Sequence, residues 1–396
     1  MTHLPLTGIR VLAVEQYGAG PWGTLYLADL GAEVIKIEAP GGGDMARGAG
    51  PHTLGANDSQ FYQTFNRNKR SLTLDLKAPE GRAIFHRLVA TADGVANNLR
   101  GDQPGKLGLT YDALKALNPR IVCAHLSAYG RSGPRAAWPG YDYLMQAEAG
   151  YLHLTGEPDG PPTRMGLSMV DYMTGVTMAY AFTAALVAAL KTGRGRDVDV
   201  SLFDVALHQL TYPATWYLNA GDQTTRRPRS GHPSTVPCEL FPTADGWVFI
   251  MCITPKFWEL LCRKVERPEL LEDARFSGFP ERRANREALV AILDPILRTR
   301  TTAAWLELFA GDIPAAPVYD LAQALENPYV AERGHLRPHP HPDHPGFRML
   351  ANPIRIDDAW TPVQAAPKLG ADTDAILGEL GYGAGEIEGL KAAKVV

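Results

Sequence analysis

The sequence predicts an α/β protein with a Rossmann-like large domain, built on a mainly parallel sheet, and a smaller α+β domain. Three observations predict this fold class. The first 205 residues alternate apolar strand segments with helical segments. A glycine-rich segment begins three residues after the first strand. Beyond residue 225 the pattern changes to one strand followed by several helices. Alternating strands and helices are typical of parallel sheets that helices cover on both faces.

The opening strand–helix–strand unit is predicted from an apolar run and its flanking glycines. Residues 9–14 form the first predicted strand, and residues 24–30 form a helix that Gly31 closes as a C-terminal glycine. Residues 32–37 form the second strand, which ends at Glu38.

The later elements follow from the same periodicities. Strands are predicted at 71–76, 94–96, 121–126, 197–202 and 246–251. Helices are predicted at 79–91, 111–116, 176–190, 203–220, 256–265, 286–297, 302–308 and beyond Leu369. We therefore expect a large domain at 1–205, a linker at 206–225, a small α+β domain at 226–330 and a further segment at 331–396.

The segment Gly18-Ala19-Gly20-Pro21-Trp22-Gly23 matches the spacing of a dinucleotide-binding fingerprint, with Glu38 about 20 positions after the first glycine. In such sites the glycines let the backbone approach a pyrophosphate at a helix N-terminus. Here, however, Glu15, Gln16 and Tyr17 separate the strand from the first glycine. These side chains favour a site lined by polar groups over a plain NAD or FAD fingerprint. A tight turn without a ligand is the alternative.

The composition is that of a globular enzyme. Hydrophobic residues make up 45% and the net charge is −4 without basic runs, which argues against nucleic acid as a partner. Cysteines without C-x-x-C spacing predict buried thiols in a reducing compartment: Cys123, Cys238, Cys252 and Cys262. Residues 1–5 do not resemble a signal peptide. The apolar stretch 176–190 is shorter than the roughly 20 residues of a membrane span. We expect a cytoplasmic protein that does not span a membrane, with this stretch as a buried helix.

Several segments, in collinear order, resemble motifs of the class III CoA-transferases. They are LTGIRVL at 6–12, LGAEVIKIE at 30–38, GDMAR at 43–47, NRNKRS at 66–71, SAYGRSGP at 127–134, GRG at 193–195, DVA at 204–206 and FPTADG at 241–246. The family includes formyl-CoA and carnitine CoA-transferases and α-methylacyl-CoA racemase. The resemblance implies an interlocked homodimer of ring-like subunits. It implies that residues 1–205 are the N-terminal part of the large domain and that 331–396 are a return linker and its C-terminal part. It also implies a coenzyme A thioester as substrate, with no permanently bound cofactor.

The resemblance further implies that Asp171, in MVDYMTG at 169–175, is the nucleophile. Independently, Asp171 lies just before an apolar helix, where a carboxylate would meet unpaired N–H groups. A simple N-cap is the alternative. As nucleophile, the aspartate would attack an acyl-CoA and carry CoA as an aspartyl thioester to an acceptor acid.

Other site residues are implied position by position. Asn98 and Lys106 would contact CoA, with Lys106 binding phosphate as a point charge where transferases often carry arginine. Asn68 and Lys69 are candidates near the adenosine or phosphates, with solvated surface as the alternative. Gln16 is a candidate for the acyl pocket.

Gly231, in the segment 230–234, is a candidate for a loop covering the site, by its position only. A plain linker glycine is the alternative. The formyl-CoA transferase branch has a glycine run at this place, and its absence here disfavours oxalate and formate as substrates.

An α-methylacyl-CoA racemase activity is the alternative function. Racemase relatives place a histidine in the segment matching 140–142, where this chain has Tyr141. A phenol with a pKa of about 10 is a poor base at neutral pH, so the transferase is favoured. Asp142 is either a supporting carboxylate beside Asp171 or a structural hydrogen-bond acceptor.

Two further groups of residues concern ligands. The segment with His335, His339, His341 and His344 is interleaved with prolines, which favours an extended chain and predicts no metal site. Arg47 and Arg164 are candidates for binding a second carboxylate, which favours a C4 or C5 dicarboxylate such as succinate. A CoA-binding protein without activity is disfavoured by the presence of Asp171.

Overall fold

The computed structural model describes residues 3–396, so Met1 and Thr2 of the amino-terminal segment lie outside it. The described strands are, in chain order, β1 (Arg10–Val14), β2 (Glu33–Glu38), β3 (Thr53–Gly55), β4 (Asp58–Ser59), β5 (Lys69–Thr73), β6 (Gly94–Asn97), β7 (Val122–Ser127), β8 (Arg196–Ser201), β9 (Cys238–Pro242), β10 (Trp247–Met251), β11 (Ala315–Pro317), β12 (Leu336–Pro338), β13 (Arg348–Leu350), β14 (Arg355–Ile356) and β15 (Ala359–Trp360).

The described α-helices are α1 (Ala19–Asp29), α2 (Gln60–Asn66), α3 (Pro79–Val89), α4 (Gln103–Lys106), α5 (Tyr111–Leu114), α6 (Asp142–Glu148), α7 (Tyr151–Leu154), α8 (Met169–Thr192), α9 (Leu202–His208), α10 (Thr211–Ala220), α11 (Pro255–Lys264), α12 (Phe279–Ala284), α13 (Arg286–Leu297), α14 (Thr302–Phe309), α15 (Leu321–Glu326), α16 (Pro328–Glu332), α17 (Thr373–Glu379) and α18 (Ala384–Ala392).

Six strands form one sheet in the order β5-β2-β1-β6-β7-β8. Every pairing in it is parallel, as the alternating sequence pattern predicts. Strands β2 and β5 lie on one side of β1, and the later strands β6, β7 and β8 lie on its other side. The order therefore reverses between β1 and β6, which is the Rossmann-like arrangement. In such sheets ligands bind beyond the carboxyl ends of the strands at this reversal.

Helix α1 begins at Ala19, five residues before the predicted start at residue 24, and Gly18 is its N-cap. Gly20 and Gly23 are therefore helical residues. A β-carbon at Gly23 would lie 2.5 Å from the carbonyl oxygen of Gly175 in α8. A β-carbon at Gly175 would lie equally close to the carbonyl oxygen of Ala19. These two glycines let the backbones of α1 and α8 touch.

Helix α8 has 24 residues, more than the stretch 176–190 predicted. By length and composition alone it could cross a membrane, as could no other described helix. Its buried side includes Thr174, Met178 and Phe182 at a spacing of four residues, and the helix packs against α1, β7 and β8. Tyr180 and Leu190 are exposed. The expectation of a buried helix thus holds for one of its sides.

The chain divides into two compact units. The first contains the described residues up to Ala149, Gly166–Leu210 and Arg333–Val396. Its last segment joins the core of the large sheet: the Ser71 N–H donates to Asp372 Oδ2 (2.8 Å) and the Asp75 N–H to the Val395 carbonyl (2.8 Å). Side chains of α17 and α18 pack in the same apolar core as those of β5 and α3.

The second unit contains Gly150–Met165 and Thr211–Glu332. It has an antiparallel sheet in the order β11-β10-β9 and a core that includes Phe241, Trp258 and Trp305. This division differs from the expected boundaries at two places. Gly150–Met165 falls in the second unit, and α10 occupies half of the expected linker at 206–225. The single helix expected at 203–220 is two helices, α9 and α10, and the break falls before Thr211, whose φ of +47° lies outside the right-handed helical region.

Candidate active site

A cavity of about 390 Å³ lies at the carboxyl ends of β1, β6 and β7, where the strand order reverses. Its wall contains the turn after β1, the residues after β6, the end of β7 and the residues just before α6, together with Met45, Asp171 of α8 and Leu202 of α9. The lining residues are Gln16, Tyr17, Gly18, Ala19, Met45, Asn98, Leu99, Arg100, Gln103, Leu126, Ser127, Ala128, Trp138, Pro139, Gly140, Tyr141, Asp171 and Leu202. The cavity therefore brings together Gln16, Asn98, Tyr141 and Asp171 of the predicted site.

Asp171 lies in the first turn of α8, two residues after its first residue, and is not the N-cap, which is Ser168. Its backbone N–H donates to Asp142 Oδ2 (2.9 Å). One carboxylate oxygen of Asp171 lies against Gly18, where an added β-carbon would come within 3.0 Å of it. Burial and, second, the negative charge of Asp142 raise the pKa of Asp171 to about 7. A strongly raised carboxyl pKa in a cavity is typical of functional sites.

Asp142 and Tyr141 begin α6 beside this carboxylate. Asp142 is buried and also accepts a hydrogen bond from Gln146 Nε2 (2.6 Å). Asp142 thus accepts a hydrogen bond from the backbone of α8, and its charge adds to the effect of burial on the pKa of Asp171. Tyr141 is the residue before α6, and its side chain is exposed and lines the cavity.

The glycine fingerprint does not form a loop that cradles phosphate. Gly18 lies against Asp171, and a β-carbon at Gly20 would lie 2.7 Å from Cβ and Cγ of Asn98. Gly23 lies against α8. Each glycine therefore permits a close protein–protein contact. Gly18 lines the cavity, but the spacing of the three glycines serves these protein–protein contacts.

Asn68 and Lys69 do not line the cavity. Lys69 is fully buried, and its ammonium group donates to Glu15 Oε1 (2.8 Å) and to the Pro21 carbonyl (3.0 Å). Burial lowers the pKa of Lys69 to about 8, with Glu15 opposing this shift. Asn68 donates to Asp29 Oδ1 (2.7 Å). These contacts correct the expectation of CoA ligands, because the polar groups of both residues already bind protein atoms.

Lys106 ends the short helix α4, and its exposed ammonium group pairs with Asp102. Because the ammonium group is exposed, an anion in solution can reach it. Gly231 belongs to the second unit, where a β-carbon on it would meet the Arg286 guanidinium. Its expected role in covering the site stays a prediction.

The two arginines expected to bind a carboxylate lie elsewhere. Arg47 is buried and donates to both Glu38 oxygens (2.8 and 2.7 Å) and to the Tyr62 hydroxyl (2.6 Å). Arg164 belongs to the second unit. Among the described residues that line the cavity, the cationic side chain is Arg100, which the sequence analysis does not name as a candidate. Its position between Asn98 and Lys106, both expected to contact CoA, was the available signal.

The histidine-rich segment folds onto the first unit. His341 Nε2 lies 2.9 Å from Asp58 Oδ2, and His339 Nε2 lies 2.8 Å from Gln63 Oε1. Burial lowers the pKa of His339 to about 4, which keeps it neutral. Within residues 3–396 no group of three or more His, Cys, Asp or Glu side chains is placed to hold a metal ion.

Residues 6–373 match the family model described as CoA-transferase family III. A succinate–glutarate CoA-transferase of Agrobacterium fabrum is 34% identical, with 95% of this chain and 96% of that protein covered. An acetyl-CoA:oxalate CoA-transferase of Acetobacter aceti is 37% identical, with 92% and 93% covered.

Solved structures agree in fold. A CAIB/BAIF family protein from Brucella suis is 34% identical, with a TM-score of 0.81, and covers 96% of this chain and all of its own. Rv3272 from Mycobacterium tuberculosis is 32% identical, with a TM-score of 0.84, and covers 94% of this chain and 99% of its own.

Proposed function

Because the chain belongs to CoA-transferase family III, as its motifs predict, we propose that it moves CoA from an acyl-CoA donor to a C4 or C5 dicarboxylate, such as succinate, through an aspartyl-CoA thioester on Asp171. The observation that carries the proposal is the position of the Asp171 carboxylate. It lies in the cavity at the sheet's reversal point, against Gly18 at the N-terminus of α1.

The proposed reaction begins with attack of the ionised Asp171 carboxylate on the thioester carbonyl. The C–S bond breaks and CoA thiolate departs. A mixed anhydride then joins the aspartate to the donor acyl group. The thiolate then attacks the aspartyl carbonyl and expels the donor carboxylate. The acceptor carboxylate attacks the resulting aspartyl-CoA and repeats both steps in reverse, which regenerates the free aspartate.

Each tetrahedral intermediate carries a negative oxygen that needs hydrogen-bond donors. The first N–H groups of an α-helix have no partner inside the helix. In α1 these groups follow Gly18, beside the Asp171 carboxylate, and they supply the donors in this proposal. The raised pKa of Asp171 means that the nucleophile is ionised only above about pH 7 in the free enzyme.

Binding of the two anionic parts of the substrates falls to different cations. Arg100 lines the cavity and is proposed to bind the second carboxylate of the acid, in place of Arg47 and Arg164. Lys106 is proposed to contact a CoA phosphate. Relatives named for succinate–glutarate and for oxalate transfer support a dicarboxylate. The same names do not favour the racemase alternative.

The test incubates the protein with succinyl-CoA or acetyl-CoA and a panel of mono- and dicarboxylic acids, oxalate and glutarate included. Mass spectrometry identifies each new thioester and, on the intact protein, an adduct with the mass of CoA. The Asp171→Ala protein is expected to fold and bind CoA but to exchange none. Full exchange by that variant would refute the mechanism. Incorporation of deuterium at the α-carbon of a 2-methylacyl-CoA in heavy water would instead support a racemase.

We also propose that the protein is a cytoplasmic homodimer of interlocked subunits. The exposed apolar side chains of α8 support an interface there, since Tyr180 is 76% and Leu190 is 53% exposed. Contiguous exposed apolar surface of this kind marks interaction sites. Light scattering coupled to gel filtration is expected to give twice the chain mass, and a monomer would contradict the proposal.

A further inference from the structure

Asn98 binds the backbone of the turn after β1 with both polar atoms of its side chain. Its Oδ1 accepts a hydrogen bond from the Gln16 N–H (2.9 Å), and its Nδ2 donates to the Gln16 carbonyl (2.7 Å). Gly20 allows this approach, because a β-carbon there would lie 2.7 Å from Asn98 Cγ. The amide of Asn98 therefore holds the peptide groups on either side of Gln16.

The next residue of the turn, Tyr17, is held by a second side chain. Tyr17 has a φ of +69°, a conformation that is strained for a bulky side chain and is kept only where surrounding contacts enforce it. Its N–H donates to Asp44 Oδ1 (2.9 Å), and Asp44 Oδ2 lies 2.8 Å from the Lys36 ammonium group. The side chains of Asp44 and Lys36 are fully buried. Asn98 and Asp44 thus fix consecutive residues of one turn.

This turn ends at Gly18, which lies against the carboxylate of Asp171. We propose that Asn98 is a positioning residue for the transfer reaction, which holds the turn at residues 16–18 so that Gly18 and the start of α1 stay packed against Asp171. This role replaces the direct CoA contact expected at Asn98, and it rests on the proposed function. Loosening the turn would displace the N-terminus of α1 and admit water to the aspartyl thioester.

The test compares Asn98→Ala and Asn98→Asp with the unaltered protein. Asn98→Asp keeps the acceptor for the Gln16 N–H but sets an oxygen against the Gln16 carbonyl. Steady-state kinetics give kcat and the KM for the acyl-CoA, and chromatography gives the ratio of free CoA to transferred thioester. We expect kcat to fall about 10- to 100-fold in both variants, since small misplacements of reacting groups have effects of this size. The KM should change less than about twofold, and the fraction of thioester lost to hydrolysis should rise.

The matched control is Asn118→Ala. The Asn118 amide also binds backbone atoms of the first unit, the carbonyls of Val89 and Ala92, but Asn118 does not line the cavity. This variant should keep the wild-type kcat and hydrolysis fraction at temperatures where it is folded, which a thermal melt establishes. An equal loss in the control would show that Asn98 acts only through stability.

A rise in KM with kcat and hydrolysis unchanged in either folded Asn98 variant would show that Asn98 binds CoA directly and would overturn the proposal. Failure of the proposed function is distinguishable from this outcome. In that case the wild-type protein transfers no CoA, or the Asp171→Ala variant transfers it fully, whatever the Asn98 variants do.

Discussion

Replacing Asp171 with asparagine is expected to stabilise the folded protein more at pH 8 than at pH 5. The folded-state pKa of Asp171 is about 7, raised from 3.8 by burial and by Asp142. A raised carboxyl pKa means that ionisation opposes folding. The folded state therefore loses stability as the pH rises from about 4 to about 7, and the asparagine variant escapes this loss.

The magnitude follows from the two pKa values. The penalty is about 2 kcal/mol at pH 5 and about 4 kcal/mol at pH 8, a difference of about 2 kcal/mol. Because the carboxylate is partly exposed, screening by solvent reduces the expected difference to about 1–2 kcal/mol. This corresponds to roughly 2–8 °C in melting temperature for a unit of this size. Any effect of the amide itself that is independent of pH cancels in the comparison.

The assay is differential scanning calorimetry of both proteins between pH 5 and pH 8. Asp112→Asn is the matched control, because Asp112 is 83% exposed and pairs with Lys115 at the surface of the same unit. Its pH-dependent change should stay below about 1 kcal/mol. Parallel curves of melting temperature against pH for wild type and Asp171→Asn would refute the reasoning, since they would show that Asp171 ionises alike in the folded and unfolded states.

Three further outcomes are expected. Asp142→Asn should move the acid limb of kcat/KM against pH to lower values, because it removes the charge that raises the pKa of Asp171; an unmoved limb would contradict this. Gly175→Ala should lower the free energy of unfolding in urea by about 1–3 kcal/mol, because its methyl group meets the Ala19 carbonyl, whereas Gly105→Ala, with open space around it, should change it by less than about 0.5 kcal/mol. The four cysteines should react with a disulfide reagent only in denaturant, because all of them are buried and burial raises the pKa of Cys252 and Cys262 to about 12. Fast labelling of the native protein would disprove this prediction.

The sequence predicts the centre of the parallel sheet well because β1 is a short apolar run, as a strand buried on both faces needs to be. The predicted strand at 94–96 is β6, and the predicted helix at 286–297 is α13. The assignment of Gly150–Met165 to the second unit could not be predicted, because it depends on contacts with a distant part of the chain, such as those of Glu157 with Arg226 and Arg229. The helix break at Thr211 has no glycine or proline directly before it to mark it in the sequence.

Part of the candidate site could be predicted from short local motifs. These motifs indicate Asp171, Tyr141 and Gln16, which meet at one cavity. Lys69 and Arg47 were misread, because a charged residue in sequence looks like a surface or ligand-binding group. Both side chains form buried ion pairs, Lys69 with Glu15 and Arg47 with Glu38. The local sequence does not distinguish a buried ion pair from a ligand-binding group.

The return of the chain to the first unit has a consequence for its synthesis. Strand β5 lies at an edge of the large sheet, and its Ser71 and Thr73 N–H groups donate to Asp372 and Thr373. At about 5–20 residues per second, a ribosome needs roughly 10–40 s to pass from Leu210 to the last residues. During that time the first unit has its edge strand and part of its apolar core uncovered. A chain that stops before Asp372 would keep this surface exposed, so nonsense or stalled products of this protein are expected to need chaperones or degradation and not to persist as partly active enzyme.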